Sequence, residues 1–355
     1  MARTTAGNKQ LIYGNMKHTI YALLLASMIS FGAHAQDKTA AEGKRMAVVE
    51  LSSIYMRQQP DYESALETQE LMGTVVEIVD EKGYWREIVS PQPYRAWATE
   101  KGLVEISAEA LEDYMKAPKV IYSELYGHIY IETSSKAATI CDLVGGDVMR
   151  FIGKKGKWTE VMLPSGKKGY VPSKELEAHK GFFSIAQGEG SAESIDPQTT
   201  EAIIAEAEKL LGVPYLWGGM TAKGVDCSGL VRISHIMNGI VLPRNASQQI
   251  NCGDRVPMEI DTMWWEADAA SDQSRTQELQ KEMHRRIHNL ERGDLVFFGT
   301  PASEAGKKPR VSHVGIYLGE GKIIHSSHMV RINSLIPGNE NYYENSWKLL
   351  GAVRL

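Results

Sequence analysis

Two stretches of the chain carry the clearest hydrophobic periodicity. In Ser228–Met237, apolar residues recur at the spacing of an α-helix, and Gly239 follows as a stop signal. In Val311–Leu318, apolar residues alternate with polar or small ones and β-branched side chains are frequent, which predicts a half-buried strand. After the turn at Gly319–Lys322, the run Ile323–Ser327 predicts an antiparallel partner for that strand. The C-terminal part therefore has an α+β pattern.

One cysteine and two histidines occupy the starts or middles of these elements. Cys227 comes directly before the helical run, where the positive end of the helix dipole favours an anion, so we expect this position to lower the pKa of the thiol. His313 lies near the start of the first predicted strand, and His325 lies on its partner. There His325 can hydrogen-bond the second ring nitrogen of His313 and fix its tautomer. Nucleophile, base and orienting group in this order predict a cysteine peptidase.

Six short blocks in the C-terminal part carry a resemblance to a known family. The blocks are Pro214–Gly219, Asp226–Val231, Leu242–Arg244, Gly293–Phe298, His313–Tyr317 and Ile324–His325. In this order they resemble the NlpC-type family of papain-like peptidoglycan endopeptidases. The resemblance implies an α+β papain-like catalytic domain over residues 198–355, with Cys227, His313 and His325 as its catalytic residues.

Short predicted strands separated by turns fill residues 46–110 and 115–178. Each stretch contains a lysine–glycine turn that leads into a tryptophan, Lys82–Trp85 in one and Lys155–Trp158 in the other. Both stretches resemble bacterial SH3 domains, which implies two small all-β SH3-like barrels ahead of the catalytic domain. Residues 179–197 are rich in glycine, serine and alanine and predict a linker.

This domain order resembles the γ-D-glutamyl-L-diamino acid endopeptidases of the dipeptidyl-peptidase VI type. The resemblance implies cleavage of the γ-D-glutamyl-diamino acid bond in peptidoglycan peptides that carry a free N-terminal L-alanine. It also implies that Asp226 binds the free amine and that Tyr215 positions the substrate. Asp226 has an alternative, structural role as a helix cap. The other residues that we expect at the substrate are Trp217, Ser228, Ser247, Glu63, Glu67 and Tyr94.

Two other functions stay open at this point. The protein could be an endopeptidase or amidase that acts on intact peptidoglycan, or a wall-binding protein with little activity. The sequence does not decide between polymer and free muropeptide, or between meso-diaminopimelate and lysine at the cleaved bond. It also leaves open whether residues 251–290, an insertion relative to the compact family pattern, border the cleft or cover an edge of the sheet.

Metal, nucleotide and nucleic-acid chemistry find little support in the sequence. There is no Cys-x-x-Cys pair, and His284 and His288, four residues apart, lack the glutamate that a zinc hydrolase places beside its first histidine. No glycine-rich phosphate loop follows a predicted strand. Residues 36–355 hold 36 basic and 44 acidic residues, a net charge of about −8, which disfavours nucleic acid as a partner. We therefore expect no metal and no cofactor.

The N-terminal residues predict export. A basic start at Met16–His18, a short apolar region and the small residues Ala33 and Ala35 describe a signal peptide that ends at residue 35. Met16 is a better signal start than Met1, so residues 1–15 are expected to be an over-extended start. The three cysteines, an odd number, favour a free thiol over a disulfide framework. We expect a monomer in the periplasm or outside the cell, without stable membrane insertion.

Overall fold

Two seven-stranded antiparallel sheets account for most of the N-terminal half of the chain. The computed structural model describes residues 43–185, 195–259, 276–300 and 309–355. The predicted signal peptide at 1–35, the middle of the predicted linker at 186–194 and residues 260–275 of the insertion lie outside the described residues.

The first sheet has the strand order β3-β2-β6-β5-β4-β1-β7. Its strands are β1 (Arg45–Val49), β2 (Ser53–Arg57), β3 (Leu66–Leu71), β4 (Val75–Lys82), β5 (Trp85–Val89), β6 (Arg95–Thr99) and β7 (Leu103–Ile106). Alternate side chains point to one face, where Ala47, Met56, Val76 and Ile88 form a buried core. We call these seven strands the first β domain.

The second sheet repeats the first in every strand position. Its strands are β8 (Lys119–Tyr122), β9 (Tyr126–Tyr130), β10 (Thr139–Val144), β11 (Val148–Lys155), β12 (Trp158–Met162), β13 (Lys168–Pro172) and β14 (Leu176–Ala178), in the order β10-β9-β13-β12-β11-β8-β14. We call them the second β domain, and helix α1 (Ala108–Lys116) connects it to the first.

The lysine–glycine turns explain why the same short sequence pattern occurs in both β domains. Gly83 and Gly156 have φ angles of 60° and 61°, in the left-handed region that glycine adopts at little cost. Trp85 and Trp158 follow as the buried first residues of β5 and β12. The similarity that the sequence predicts between the two stretches is therefore a similarity of strand order and of turn conformation.

The C-terminal part is a six-stranded antiparallel sheet with helices on both faces, in the order β19-β24-β20-β21-β22-β23. Its elements are β15 (Phe183–Ser184), α2 (Pro197–Lys209), β16 (Met220–Thr221), β17 (Gly224–Val225), α3 (Cys227–Ile236), β18 (Ile240–Val241), α4 (Ala246–Gln249), β19 (Asp254–Arg255), α5 (Thr276–Ile287), β20 (Leu295–Thr300), β21 (Arg310–Gly319), β22 (Lys322–Ser327), β23 (Met329–Ser334) and β24 (Leu349–Arg354). In the part of the chain that the structure describes, no helix has the length and apolar character of a membrane span.

The two faces of this sheet bury separate apolar clusters. Helices α2 and α3 pack on one face, where Val231 meets Val314 and Ile324. Helix α5 covers the other face with Leu279 and Met283. Since α5 belongs to the insertion at 251–290, this described part of the insertion covers a sheet face.

Strand β3 of the first β domain is fixed to the loop that precedes α3. The Gln69 side-chain oxygen accepts a hydrogen bond from the backbone N–H of Met220 at 2.7 Å, and both groups are buried. Glu70 and Arg232, both buried, pair at 3.5 Å. A side chain at Gly218 would clash with β3, because a Cβ there would lie 2.9 Å from Leu66. The first β domain is therefore attached to the C-terminal part through buried polar contacts.

The substitution Gln69→Leu tests this attachment. It leaves the Met220 N–H without an acceptor in a buried position, so we expect a loss of about 1–3 kcal/mol in the free energy of unfolding. The measurement is urea denaturation of the purified chain. Gln59→Leu, the same change at an exposed position of the first β domain, is the matched control. Equal stability of the two variants would contradict a fixed attachment.

Candidate active site

Helix α3 begins at Cys227, as the sequence periodicity predicts. Asp226 is its N-cap, and its carboxylate accepts the backbone N–H of Gly229 at 2.7 Å. The Cys227 side chain is only 7% exposed, and its sulfur receives the backbone N–H groups of Ser228 and Val314. Since Val314 follows His313 on β21, the thiol lies against the strand that carries the predicted base.

The two predicted histidines contact each other. His313 Nε2 lies 2.7 Å from His325 Nδ1, and their rings meet edge to face with centroids 4.9 Å apart. Gly315 makes room for this pair, because a Cβ at that position would lie 3.1 Å from the Cβ of His325. The antiparallel pairing of β21 with β22 is thus as predicted, and it brings the histidines together.

Asn333 on β23 extends the pair into a chain of hydrogen bonds. Its Nδ2 donates to the carbonyl of Asn341 at 2.6 Å, which leaves its Oδ1, 2.8 Å from His325 Nε2, as an acceptor. His325 Nε2 therefore carries the proton and its Nδ1 accepts from His313 Nε2–H. The Nδ1 of neutral His313 is then free of a proton and can accept one from a thiol.

Tyr343 packs against this series of hydrogen-bonded side chains from one side. Its ring centroid lies 4.7 Å from that of His325, 5.7 Å from that of His313 and 5.2 Å from that of Phe298. Burial raises the pKa of the Tyr343 phenol, and the nearby Cys227 adds to this effect. No sequence signal marks Tyr343 and Asn333, because neither lies in a recognisable block and only the fold brings them to the histidines.

The protonation states differ from the expectation for a thiol at a helix N-terminus. Burial, followed by the charge of Asp226, raises the pKa of the Cys227 thiol to about 11. Burial likewise lowers the pKa of His313 to about 3 and that of His325 to about 4. The expected lowering of the thiol pKa is therefore wrong for this state of the site: loss of hydration outweighs the backbone N–H groups and Arg244.

Asp226 is engaged on both carboxylate oxygens. Arg244 donates to them at 2.6 and 3.0 Å, and the backbone N–H of Gly218 donates at 2.8 Å, in addition to the Gly229 N–H of the cap. A carboxylate has about four acceptor positions, so these donors occupy Asp226 almost completely. The capping role is confirmed, and the charge of Asp226 is already balanced by Arg244.

Tyr215 and Ser228, two of the predicted substrate residues, lie beside the thiol. Burial and then the charges of Cys227 and Asp226 raise the pKa of the Tyr215 phenol, which keeps it protonated as a donor. The hydroxyl of Ser228 accepts a hydrogen bond from Arg244 at 2.8 Å. Both side chains therefore belong to the cluster around the start of α3.

Glu67 and Tyr94 bring the first β domain to the same cluster. The Tyr94 hydroxyl donates to Glu67 at 2.5 Å and also bonds the side chain of Asn245, the residue after Arg244. Thr68, next to Glu67 on β3, accepts a hydrogen bond from Arg244 Nε at 2.8 Å. The residue that follows Glu67 therefore contacts the guanidinium of the Arg244–Asp226 ion pair. Glu67 is part of β3.

The other predicted substrate residues lie at the surface. Trp217 is 66% exposed, and Ser247 is exposed on α4. Glu63 is exposed in the loop before β3, where only its backbone N–H is hydrogen-bonded, to Asp61. Within the described ranges, no group of three His, Cys, Asp or Glu side chains is arranged to hold a metal ion.

Comparison with known proteins identifies the C-terminal part. Residues 212–350 match the model of the NlpC/P60 family. These residues form an NlpC/P60 domain. The chain is 28% identical over 286 residues to a γ-D-glutamyl-L-lysine dipeptidyl-peptidase of Bacillus cereus. The aligned region covers 78% of this chain and 72% of the relative. It is 23% identical over 303 residues to dipeptidyl-peptidase 6 of Lysinibacillus sphaericus, covering 83% of this chain and 93% of that protein.

A solved structure shows the same fold over most of the chain. The crystal structure of an NlpC/P60 family protein from Bacillus cereus superimposes with a TM-score of 0.63 at 22% identity, covering 87% of this chain and 99% of that one. Because this match extends well beyond the NlpC/P60 domain, the β domains and the NlpC/P60 domain share their arrangement with that protein.

Asn333→Ala tests the hydrogen-bond chain of the NlpC/P60 domain. Without Asn333, His325 Nε2 loses its acceptor and the tautomer of both rings is no longer fixed, so we expect turnover to fall roughly tenfold. The pH profile of kcat should also change, since the titration of the histidine pair depends on this acceptor. Asn339→Ala, a nearby asparagine that bonds Ser334, is the control. An unchanged pH profile in Asn333→Ala would assign Asn333 a structural role only.

The rate of thiol alkylation tests the pKa of Cys227. With a pKa of about 11, Cys227 should react with iodoacetamide at a rate that keeps rising well above pH 9. Peptide mapping by mass spectrometry measures the modification at each pH. Cys227→Ala reports the background from Cys141 and Cys252. A plateau of the Cys227 rate near neutral pH would show that a thiolate already exists in the free enzyme.

Proposed function

We propose that this protein is a cysteine peptidase that hydrolyses the γ-D-glutamyl-diamino acid bond of peptidoglycan-derived peptides with a free N-terminal L-alanine. One observation carries the proposal: the Cys227 thiol lies at the start of α3 against Val314, the residue after His313, and the Nδ1 of His313 is left as an acceptor by His325 and Asn333. The dipeptidyl-peptidases among the relatives of this NlpC/P60 domain support the substrate class.

In the first half of the reaction, His313 acts as the base. Its Nδ1 takes the proton of the Cys227 thiol while the sulfur attacks the γ-carbonyl carbon of D-glutamate. His325 accepts from His313 Nε2–H and so stabilises the imidazolium that forms. A concerted transfer suits the high thiol pKa, because no free thiolate has to accumulate before the attack.

In the second half, the same proton leaves with the diamino acid. His313 delivers it to the departing α-amine as the carbon–nitrogen bond breaks, and a thioester with Cys227 remains. Water then gives a proton to His313 and its oxygen to the acyl carbon. The carbon–sulfur bond breaks, and the sulfur recovers the proton, which restores the neutral pair.

Two donors are suited to the oxyanion that forms on the γ-carbonyl oxygen. The backbone N–H of Cys227 is at the start of α3, where N–H groups have no partner within the helix. The Tyr215 phenol stays protonated, because burial first and then Cys227 and Asp226 raise its pKa, and it can therefore donate. Each such donor is worth roughly 3 kcal/mol of transition-state stabilisation in comparable acyl-transfer sites.

Glu67 is our candidate for binding the N-terminal ammonium of the peptide. In the described ranges no basic side chain pairs with it, and its charge is met only by Tyr94 and Gln58. Asp226 adds to the negative field, but its oxygens are already taken by Arg244 and backbone donors. An ammonium group out of contact with water requires such a partner, so an N-acylated peptide should bind poorly.

We further propose that the two β domains are bacterial SH3 domains and that the chain is exported. The shared strand order and the two lysine–glycine turns support the domain assignment at about residues 46–110 and 115–178. The signal-peptide pattern at residues 16–35 supports export to the periplasm or the extracellular space. The first β domain then serves the active site through Glu67 and Tyr94.

The function is tested with the peptide L-Ala-γ-D-Glu-meso-diaminopimelate. We expect mass spectrometry to detect L-Ala-D-Glu and free diaminopimelate as products. N-acetylation of the alanine should lower kcat/KM by roughly a hundredfold or more, because it removes the charge that Glu67 binds and adds volume. Equal cleavage of the acetylated and free peptides would contradict the amine site.

Three variants serve as controls for this assay. Cys227→Ala should form no product while its circular dichroism and melting temperature stay near those of the native chain. Cys141→Ala, at a partly buried thiol of the second β domain, should retain activity. Glu67→Gln should raise KM for the free peptide and narrow the gap between free and acetylated substrates. Hydrolysis by Cys227→Ala would exclude the proposed nucleophile.

A further inference from the structure

Arg331 lies next to the histidine pair on the adjoining strand. It is the direct cross-strand partner of His325 in the antiparallel pairing of β22 with β23. Directly opposed residues extend to the same face of a sheet, with Cβ atoms about 4.5–5.5 Å apart. The guanidinium group therefore emerges on the same sheet face as His313, His325 and Asn333.

Among the residues that the structure describes, this guanidinium has no hydrogen-bond or ion-pair partner. Arg86, Arg232 and Arg331 each have a buried Nε without a hydrogen bond, yet Arg86 pairs with Glu100 and Arg232 with Glu70. Among the described residues, no carboxylate pairs with Arg331. A partly buried cation usually has a counter-charge, because its loss of hydration is otherwise uncompensated. Within the described ranges, Arg331 is thus a cation without a counter-charge, which suits it to a bound anion.

The unpaired charge also affects the chemistry of the site. After burial, Arg331 contributes to lowering the pKa of both His313 and His325, since like charges disfavour the imidazolium form. The imidazolium of His313 must nevertheless form during the reaction. An anion bound to Arg331 would remove this opposition at the moment when substrate is present.

We propose that Arg331 binds a carboxylate of the leaving diamino acid and so selects meso-diaminopimelate over lysine. This inference rests on the proposed function. Arg331 contacts the leaving group at the same active site.

The order of the strands favours the leaving-group side for Arg331. Cys227 lies against β21, and the path from β21 through β22 to Arg331 on β23 leads away from the nucleophile. The acyl group is bonded to Cys227, whereas the amine that leaves takes its proton from His313. Two strand spacings amount to roughly 10 Å, so the group that Arg331 contacts lies at the far end of the leaving side chain.

The chemistry at that far end differs between the two diamino acids. In meso-diaminopimelate it carries a carboxylate beside an amine, and the carboxylate can bind a guanidinium with two parallel hydrogen bonds. In lysine it carries only an ammonium group, which the charge of Arg331 repels. Arg331 therefore both attracts one substrate and disfavours the other.

The test compares L-Ala-γ-D-Glu-meso-diaminopimelate with L-Ala-γ-D-Glu-L-Lys as substrates. We expect the native chain to prefer the diaminopimelate peptide roughly tenfold or more in kcat/KM, as a charge-assisted hydrogen bond allows. Arg331→Gln should lose most of this preference through KM for the diaminopimelate peptide, and Arg331→Lys should keep part of it. Arg255→Gln removes the same charge at the opposite edge of the sheet and should behave as the native chain.

Several outcomes would overturn the inference. Equal kcat/KM for both peptides in the native chain would do so, as would an equal loss on both in Arg331→Gln. A third peptide with D-isoglutamine in place of D-glutamate removes the acyl-side carboxylate. If the effect of Arg331→Gln disappears with that peptide, Arg331 binds the carboxylate of D-glutamate instead of the leaving group.

Binding measurements keep this test separate from the proposed function. Isothermal titration of the Cys227→Ala protein with the two peptides measures selection without hydrolysis. If the native chain cleaves neither peptide, the proposed function fails, and the titration still decides about Arg331. Equal affinity of Cys227→Ala and Cys227→Ala/Arg331→Gln for the diaminopimelate peptide would reject the role of Arg331.

Discussion

The buried ion pair between Arg244 and Asp226 is the interaction on which the rest of the site depends. Arg244 is 2% exposed and reaches Asp226, the Ser228 hydroxyl and Thr68 of the first β domain. Asp226 in turn caps the helix that carries Cys227 and receives the N–H of Gly218. Removal of one member of such a pair typically costs about 3–5 kcal/mol, because the other charge stays buried without a partner. The start of α3, the loop at Gly218 and the first β domain are thus held together by one guanidinium group.

The free enzyme holds its reactive groups in neutral form. Burial moves the pKa of Cys227 upward and that of His313 downward, so neither carries a charge near neutral pH. A thiol that stays protonated is a poor target for oxidants and for stray electrophiles, which react with the thiolate. Such protection would matter in the oxidising compartment that we propose for this protein.

Local signals in the sequence predicted the elements that carry the chemistry. Helical spacing after Asp226 and strand alternation around His313 are short-range patterns, and the structure has α3 and β21 there. The signal for Asn333 and Arg331 is absent from the sequence, because their relation to His325 depends on the register between β22 and β23. The thiol pKa was mispredicted for a related reason: a helix terminus can be recognised locally, whereas burial depends on the whole fold.

The strand order of the duplicated β domains has a consequence for the behaviour of the chain as a polymer. Strands β3 and β10 are the equivalent edge strands of their sheets. Gln69 on β3 bonds Met220, and Asp142 on β10 bonds Lys223, so both edges are attached to the same hairpin ahead of Cys227. Open sheet edges are templates for pairing with other chains and for aggregation. The NlpC/P60 domain is therefore attached to one edge of each β domain, and the pair of β domains is not a freely transferable module.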